Sequence, residues 1–176
     1  FPNSIENTLY SFGPQGYEVN SYLDMGTGYW LRFEDSEIST LSGNSVESLT
    51  IELLEGWNMI SGFSDPILLE NIIDENGLIV PNTTYGYSEN GYMISEAINP
   101  GYGYWLRSFG SGEIEFSSLV RGKITSQFEN KLENASSITF NGKPLFFDVD
   151  IRDNEAVQYS LPPKPPIGGF DVRFST

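Results

Sequence analysis

A chain of 176 residues, 39% hydrophobic and 14% aromatic, is long enough for one large or two small domains and can fill a packed core. Its 9 lysines and arginines against 24 aspartates and glutamates give a formal net charge of −15, which would repel nucleic-acid phosphates and anionic lipids. We therefore expect no nucleic-acid partner. No apolar run approaches the roughly 18 residues that a membrane span needs, so we also expect no membrane insertion.

Cysteine and histidine are both absent from the chain. Their absence removes disulfides, thiol catalysis, histidine-dependent triads and nearly all zinc, copper and haem ligation. Composition alone does not exclude the acid pair that glycoside hydrolysis needs, since 24 carboxylates are present, and a carboxylate hydrolase is a third class of function; no spacing, however, singles out such a pair. We therefore expect that the protein is not an enzyme, and the sequence predicts no catalytic residue.

In chain order, the first predicted feature is an internal repeat. Residues 27–32 read TGYWLR and residues 102–107 read YGYWLR, so that Trp105 lies 75 residues after Trp30. Because glycine marks positions of positive φ or close backbone approach, glycines kept in register indicate that the same turns and strands recur. Further matches at this offset are Tyr10 with Tyr85, Gly16-Tyr17 with Gly91-Tyr92, and Gly26 with Gly101; one extra residue then aligns Glu37-Ile38 with Glu113-Ile114.

The repeat predicts three regions. Residues 1–45 form a partial first unit, residues 46–120 a second unit, and residues 121–176 a different C-terminal region. The first unit begins at a point that corresponds to Pro81-Asn82 of the second, so we expect that part of the protein precedes Phe1. A strand supplied by a neighbouring subunit of a filament is an alternative source of the missing part.

The second unit is predicted to be mostly β. Residues 48–53 alternate Leu49, Ile51 and Leu53 with polar side chains, a pattern typical of a half-buried strand. The run Glu55-Gly56-Trp57-Asn58 is predicted to turn the chain as a hairpin into residues 59–61. Further strand candidates, separated by Pro, Asn and Gly, are residues 78–80, 84–87, 92–95, 103–107 and 113–116.

One short helix is predicted between these strands. Ser64 or Asp65 can cap it, Pro66 fits its first position, and Asn76-Gly77 can stop it. One side of this helix would carry Leu68, Leu69, Ile72 and Ile73.

The C-terminal region is predicted to close the fold. Asn141-Gly142 lies between two β-rich runs, which predicts a tight hairpin with a primed turn. The proline-rich residues 161–167 predict a stiff stretch that crosses a sheet edge, followed by a short strand in which Phe170, Val172 and Phe174 share one face. The predicted fold is therefore mainly β: tandem β-sandwich or barrel-like repeat units with one short helix, closed by a C-terminal β-hairpin and strand.

Five aromatic residues are the candidate ligand site, because rings of this kind stack on sugars: Tyr29, Trp30, Tyr104, Trp105 and Trp57. Adjacent side chains of a strand point to opposite faces, so one member of each Tyr-Trp pair is expected in the core and the other outward. Burial of the inward member is reason enough for its presence, and we favour packing over stacking. Trp57 is expected in a turn, packed across the mouth of a hairpin.

A second candidate site is a weak calcium site at Asp148, Asp150 and Asp153, since calcium prefers oxygen ligands. If residues 145–151 form a strand, Asp148 and Asp150 share its polar face. A merely solvated strand face is the interpretation we favour. No other cofactor is predicted.

Three motifs also resemble a known group of repeats. GWNMIS at 56–61, PGYGYWL at 100–106, and LPP at 161–163 followed by FDVRFS at 170–175 are similar to β-rich repeats near the C-termini of large secreted bacterial proteins of the type IX secretion kind. In such proteins these modules stand before a separate sorting domain. The resemblance implies an extracellular or cell-surface location and no catalytic residues.

From these observations we expect a non-catalytic extracellular structural module, acting as a spacer or in adhesion or assembly, with filament formation by strand pairing as one form. Its partners would be other domains of a longer chain or neighbouring copies of itself. The alternative is a carbohydrate-binding module appended to a secreted hydrolase, with polysaccharide as the partner.

Overall fold

The computed structural model describes residues 1, 3–36, 38, 40, 42–118 and 128–174. Over these residues the protein is mainly β, as predicted, but the sheets are several and open, so the barrel-like form of the prediction is wrong. The matched residue Glu37, the predicted start of the C-terminal region at 121 and the end of the last motif at Ser175 lie outside the described residues. The strands are β1 (Tyr10–Gly13), β2 (Gly16–Val19), β3 (Ser48–Leu53), β4 (Gly56–Ser61), β5 (Ile67–Leu68), β6 (Tyr85–Ser88), β7 (Gly91–Ile94), β8 (Ala97–Ile98), β9 (Gly103–Ser108), β10 (Gly112–Ser117), β11 (Ser136–Phe140) and β12 (Lys143–Phe147), and the α-helix is α1 (Asp153–Ala156).

A four-stranded antiparallel sheet in the order β4-β9-β6-β7 lies at the centre of the fold. Its inner strand β9 carries side chains into two separate cores, because successive residues of a strand point to opposite faces. One core, the aliphatic core, receives Tyr104 and Leu106, and the other receives Trp105. The buried members of the aliphatic core are Ile51, Leu53, Ile60, Phe63, Ile67, Ile72, Leu78, Ile98, Tyr104, Leu106, Ile114 and Phe116.

The motif Gly56-Trp57-Asn58 begins a strand and does not turn a hairpin. β3 pairs with β10 and β4 pairs with β9, so residues 48–61 form one long bent strand against residues 103–117. The Asn58 side chain holds the bend: its Oδ1 accepts from the Leu54 amide at 2.9 Å, and its Nδ2 donates to the Leu54 carbonyl at 2.8 Å. Gly56 adopts φ +92°, which a residue with a side chain rarely reaches.

The predicted helix after residue 64 is wrong. Ile67–Leu68 form β5, which pairs with β8, and only Leu69–Asn71 make a single 3-10 turn. Ile67 lies opposite Ile98 and both are buried, while the Leu69 amide donates to the Glu96 carbonyl at 3.0 Å. A short apolar run fits a helix or a strand equally well by spacing, and here the neighbouring strand decides the outcome.

The predicted helix stop, Asn76-Gly77, is a turn between extended segments. The two carboxylate oxygens of Asp74 accept from the amides of Leu78 and Ile79, both at 2.8 Å, and Gly77 adopts φ +63°. The strand predicted at residues 78–80 is reduced to a single bridge between Ile79 and Ser108.

The N-terminal residues form a hairpin of β1 and β2 and then a returning segment. Thr27 bridges to Ile60 of β4, and Trp30 bridges to Tyr10 of β1. Gly28 lies so close to β4 that a Cβ added to it would stand 2.5 Å from the Ile60 carbonyl oxygen. Only glycine fits at this crossing.

Positions 75 residues apart have matching backbone conformations. Tyr10 pairs with Trp30 and with Val19, as Tyr85 pairs with Trp105 and with Ile94. The matched positive φ angles are 59° and 60° for Asn7 and Asn82, 102° and 84° for Gly16 and Gly91, and 83° and 79° for Gly26 and Gly101.

Side-chain hydrogen bonds match at the same offset. Thr8 Oγ1 donates to the Ile5 carbonyl at 2.6 Å, and Thr83 Oγ1 donates to the Val80 carbonyl at 2.6 Å. Each of the matched tyrosine hydroxyls accepts from the main-chain amide five residues earlier: Tyr29 from Asp24 at 3.0 Å and Tyr104 from Asn99 at 3.1 Å.

The C-terminal region contains an antiparallel hairpin of β11 and β12, with Asn141 and Gly142 at φ 45° and 78° in its turn. Two predicted strands in this region are wrong. The strand predicted at 145–151 ends at Phe147, because Asp148 adopts φ +60° and breaks the extended backbone. The described residues 170–174 form no strand.

Candidate functional site

The most prominent concentration of side chains is an aromatic cluster on the face of the central sheet opposite the aliphatic core. Met59 and Leu161 complete its packing. Rings come from both the N-terminal hairpin and the central sheet, so the cluster joins parts of the chain that are far apart in sequence. The aromatic cluster consists of Phe12, Tyr17, Trp30, Trp57, Tyr85, Tyr87, Tyr92 and Trp105.

The two matched tryptophans pack reciprocally in this cluster. Trp105 contacts Phe12 and Tyr17 of the N-terminal hairpin, with ring centroids 4.8 and 6.3 Å away. Trp30 contacts the matched residues Tyr87 and Tyr92, at 4.6 and 6.5 Å. All four contacts are edge-to-face, the arrangement that the ring quadrupoles favour. Each tryptophan is thus enclosed by the hairpin that precedes the other one.

Trp57 lies in β4 and not in a turn, which corrects its predicted position. Its ring packs between Tyr85 and Trp105, at centroid distances of 6.0 and 6.3 Å. The Arg107 guanidinium lies 5.7 Å from the ring centroid, within the range of a cation–π interaction. Arg107 is the residue directly opposite Trp57 in the β4-β9 pair.

The expectation that one member of each Tyr-Trp pair faces outward is wrong for Tyr104 and Trp105. They do lie on opposite faces of β9, yet both are buried, with 6% and 2% of their surface exposed. Both faces of this strand are covered, so neither ring can stack on a ligand in this conformation. Tyr29, Trp30 and Trp57 are half-buried.

A proline-rich segment, residues 160–170, crosses the aromatic cluster. Four tyrosine hydroxyls of the cluster donate to main-chain carbonyls of this segment. Proline carbonyls keep their acceptor capacity although proline has no amide to donate, so a proline-rich stretch suits a row of hydroxyl donors. The bonds run from Tyr17 to Lys164 (2.8 Å), from Tyr85 to Ser160 (3.3 Å), from Tyr87 to Phe170 (3.1 Å) and from Tyr92 to Pro163 (2.7 Å).

Burial in this arrangement raises the pKa values of the same four hydroxyls. Burial raises the pKa of Tyr17 and that of Tyr85 to about 12 each, because a tyrosinate would lose its water. Burial also raises the pKa of Tyr87 and the pKa of Tyr92. The neutral hydroxyls are therefore the form that the folded protein requires.

The acidic residues proposed for calcium do not form a cluster. Among the described residues, no three His, Cys, Asp or Glu side chains come together as a metal site, and Asp148, Asp150 and Asp153 are no exception. Asp148 marks the end of β12, and Asp153 begins α1.

An open groove of about 740 Å³ lies beside the edge strand β7. β7, β12 and residues 170–174 form its walls. Its wall contains Tyr92, Phe146 and Phe170. Lys143 donates from Nζ to the Tyr92 carbonyl at 2.7 Å, and burial lowers the pKa of this lysine.

Sequence reasoning missed the contact between the tyrosine hydroxyls and the proline-rich segment. The residues are separated by 71 to 147 positions, so no local pattern brings them together. The only available signal was composition: a tyrosine-rich pair of hairpins and a proline run in one chain, a combination that aromatic recognition of proline-rich segments uses.

Comparisons of the chain with protein-family models, with curated proteins and with solved structures found no match. Within the part of the chain that the structure describes, no helix has the length and apolar character needed to cross a membrane.

Proposed function

We propose that the chain is a non-catalytic structural module of a secreted or cell-surface bacterial protein, serving as a spacer or in adhesion or assembly. The observation that carries the proposal is the reciprocal packing of Trp30 and Trp105. These rings hold two parts of the fold together, and this packing role is sufficient to explain why they are present. They contribute packing free energy whether or not the protein binds a ligand.

The proposal includes a tandem repeat. Residues 1–45 and 46–120 are taken as a partial and a complete copy of one unit, and residues 121–176 as the region that closes them. Matching φ angles and matching side-chain hydrogen bonds at an offset of 75 residues support the duplication. The hydroxyl bonds from both hairpins to the proline-rich segment support the closing role of the C-terminal region.

The extracellular or cell-surface location rests on the resemblance of the three motifs to repeats of type IX secreted proteins. The lack of cysteine and the net charge of −15 agree with it. Surface biotinylation of intact cells that make the protein should label it at its lysines. Recovery of the full-length protein only from the cytoplasmic fraction would contradict this location.

The carbohydrate-binding alternative would depend on the half-buried rings Tyr29, Trp30 and Trp57, since Tyr104 and Trp105 are buried. Retention on insoluble polysaccharides and on a broad glycan array separates the two functions. We expect no retention. The matched variants are Tyr29→Ala and Tyr102→Ala, the second at a ring that is 65% exposed and outside the aromatic cluster.

Suppose that the wild type is retained on a glycan and that Tyr29→Ala is not, while its melting temperature and far-UV circular dichroism are unchanged. This result would establish the binding module and refute the structural role. Retention lost equally in both variants would indicate nonspecific adsorption, and it would leave the structural proposal in place.

A further inference from the structure

The segment of residues 29–33 has an unpaired edge. Trp30 exchanges two main-chain hydrogen bonds with Tyr10, at 2.8 and 2.9 Å, on one side of the segment. In a strand the main-chain groups of alternate residues point to opposite sides, so those of Leu31 and Phe33 point away from Tyr10. Within the described residues, the amides and carbonyls of Leu31 and Phe33 make no hydrogen bond. We call residues 29–33 the open edge.

The matched segment at 104–108 has the same edge, and there it is paired. β4 runs antiparallel along it, with Gly56 opposite Ser108, Asn58 opposite Leu106 and Ile60 opposite Tyr104. The molecule therefore contains one occupied and one unoccupied version of the same edge.

Two apolar side chains of the first unit are less buried than their matched counterparts. Leu23 is 50% exposed, while the matched Ile98 is fully buried. Leu31 is half-buried, while the matched Leu106 is fully buried. In the paired version, β4 and the chain beyond it supply the residues that cover these positions.

The charges at the open edge also favour a particular strand. Arg32 is exposed and matches Arg107, whose guanidinium lies over the Trp57 ring. Trp57 is the residue opposite Arg107 in the β4-β9 pair, so a strand of this type would present an aromatic face to Arg32.

We propose that the open edge is a docking site for an antiparallel strand of the β4 type, supplied by another repeat unit of the same kind. In the docked register a glycine lies opposite Phe33, a tryptophan opposite Arg32 and an apolar residue opposite Trp30, as in the β4-β9 pair. The strand ends there, because the main chain of Tyr29 lies against Gly103. This inference rests on the proposed function and names the partner of its assembly role. Pairing of this kind is strand addition to a sheet edge.

The test appends the strand to the intact chain. A copy of residues 54–62 (LEGWNMISG) is fused to the N-terminus through a flexible linker of about 10 glycines and serines, long enough to return along the edge to Phe1. The rings of Phe1 and Phe33 are 5.9 Å apart, so the fusion point lies beside the edge. The control fusion has proline in place of the residues copied from Asn58 and Ile60, which removes the donors that face the edge.

We expect the matched fusion to slow amide hydrogen exchange at Leu31 and Phe33 by about 10-fold or more, and to raise Tm by about 4 °C, relative to the control fusion. Equal exchange and equal Tm in the two fusions would overturn the inference. It would also be overturned if the unmodified chain sediments as a dimer with these two amides protected, because the edge would then pair with itself.

Failure of this test and failure of the proposed function are distinguishable. A negative fusion result with no glycan retention removes the partner and leaves the structural role. Specific glycan retention removes the structural role, whatever the fusion does.

Discussion

Alkaline pH should destabilise the protein through the tyrosine hydroxyls that hold the proline-rich segment. In the unfolded chain a tyrosine has a pKa of about 10, whereas burial raises the pKa of Tyr17 and of Tyr85 to about 12 in the folded protein. Between these values the unfolded state releases protons that the folded state keeps. The stabilisation is therefore complete below about pH 10 and is lost as the pH rises towards 12.

The size of the effect follows from the shift. At about pH 11 a hydroxyl with these two pKa values lowers the free energy of unfolding by about 1.4 kcal/mol. Tyr85 is buried and should contribute most of this amount, while half-buried Tyr17 should contribute about half of it because solvent screens its charge. Their sum of about 2 kcal/mol is a large part of a typical stability of roughly 5–15 kcal/mol, and Tyr87 and Tyr92 add to it in the same direction.

Urea unfolding, followed by tryptophan fluorescence at about pH 8 and about pH 11, measures the loss directly. Tyr85→Phe provides the matched control. It removes the bond to the Ser160 carbonyl and so lowers stability at pH 8, but it should lose about 1 kcal/mol less than the wild type between the two pH values. A free energy of unfolding that stays constant over this range, or an equal loss in Tyr85→Phe, would refute the reasoning.

Three further substitutions test the packing by urea unfolding. Trp105→Ala should lower the free energy of unfolding by about 3–5 kcal/mol, because the ring is buried. Tyr102→Ala, at an exposed ring, should change it by less than about 0.5 kcal/mol. Similar losses in the two variants would contradict the assignment of the core. Gly28→Ala should lower the free energy of unfolding by about 1–3 kcal/mol, since its Cβ would meet the Ile60 carbonyl. Gly43→Ala is the control and should be neutral, because its Cβ meets nothing within 4 Å. A neutral Gly28→Ala would argue against the close crossing. Asp74→Ala should cost about 1–3 kcal/mol, because two amides lose their acceptor, and an unchanged midpoint would disprove that role.

Local chemistry determined the elements that the sequence predicts correctly. Residues 48–53 alternate apolar and polar side chains, and they form β3 with Ile51 and Leu53 buried. Asn141-Gly142 can adopt positive φ at both positions, and a two-residue turn between β11 and β12 is the result. In both cases the deciding residues are neighbours in sequence.

In the segment after residue 64, neighbouring residues do not determine whether the chain forms a helix or a strand. Its apolar residues fit one side of a helix, and pairing of Ile67 with Ile98 of β8 made it extended. The partner strand lies about 30 residues further along the chain, so the choice belongs to tertiary structure.

For the aromatic cluster too, the sequence determines one feature and the tertiary structure another. The sequence by itself determined that Tyr104 and Trp105 point to opposite faces, because alternation is a property of any extended backbone. Whether either face meets water depends on what is packed on it, and here the aliphatic core covers one face while the N-terminal hairpin covers the other. Only the tertiary structure could decide that, and only it could lay the proline-rich segment over the tyrosine hydroxyls, because both arrangements depend on contacts between residues distant in sequence.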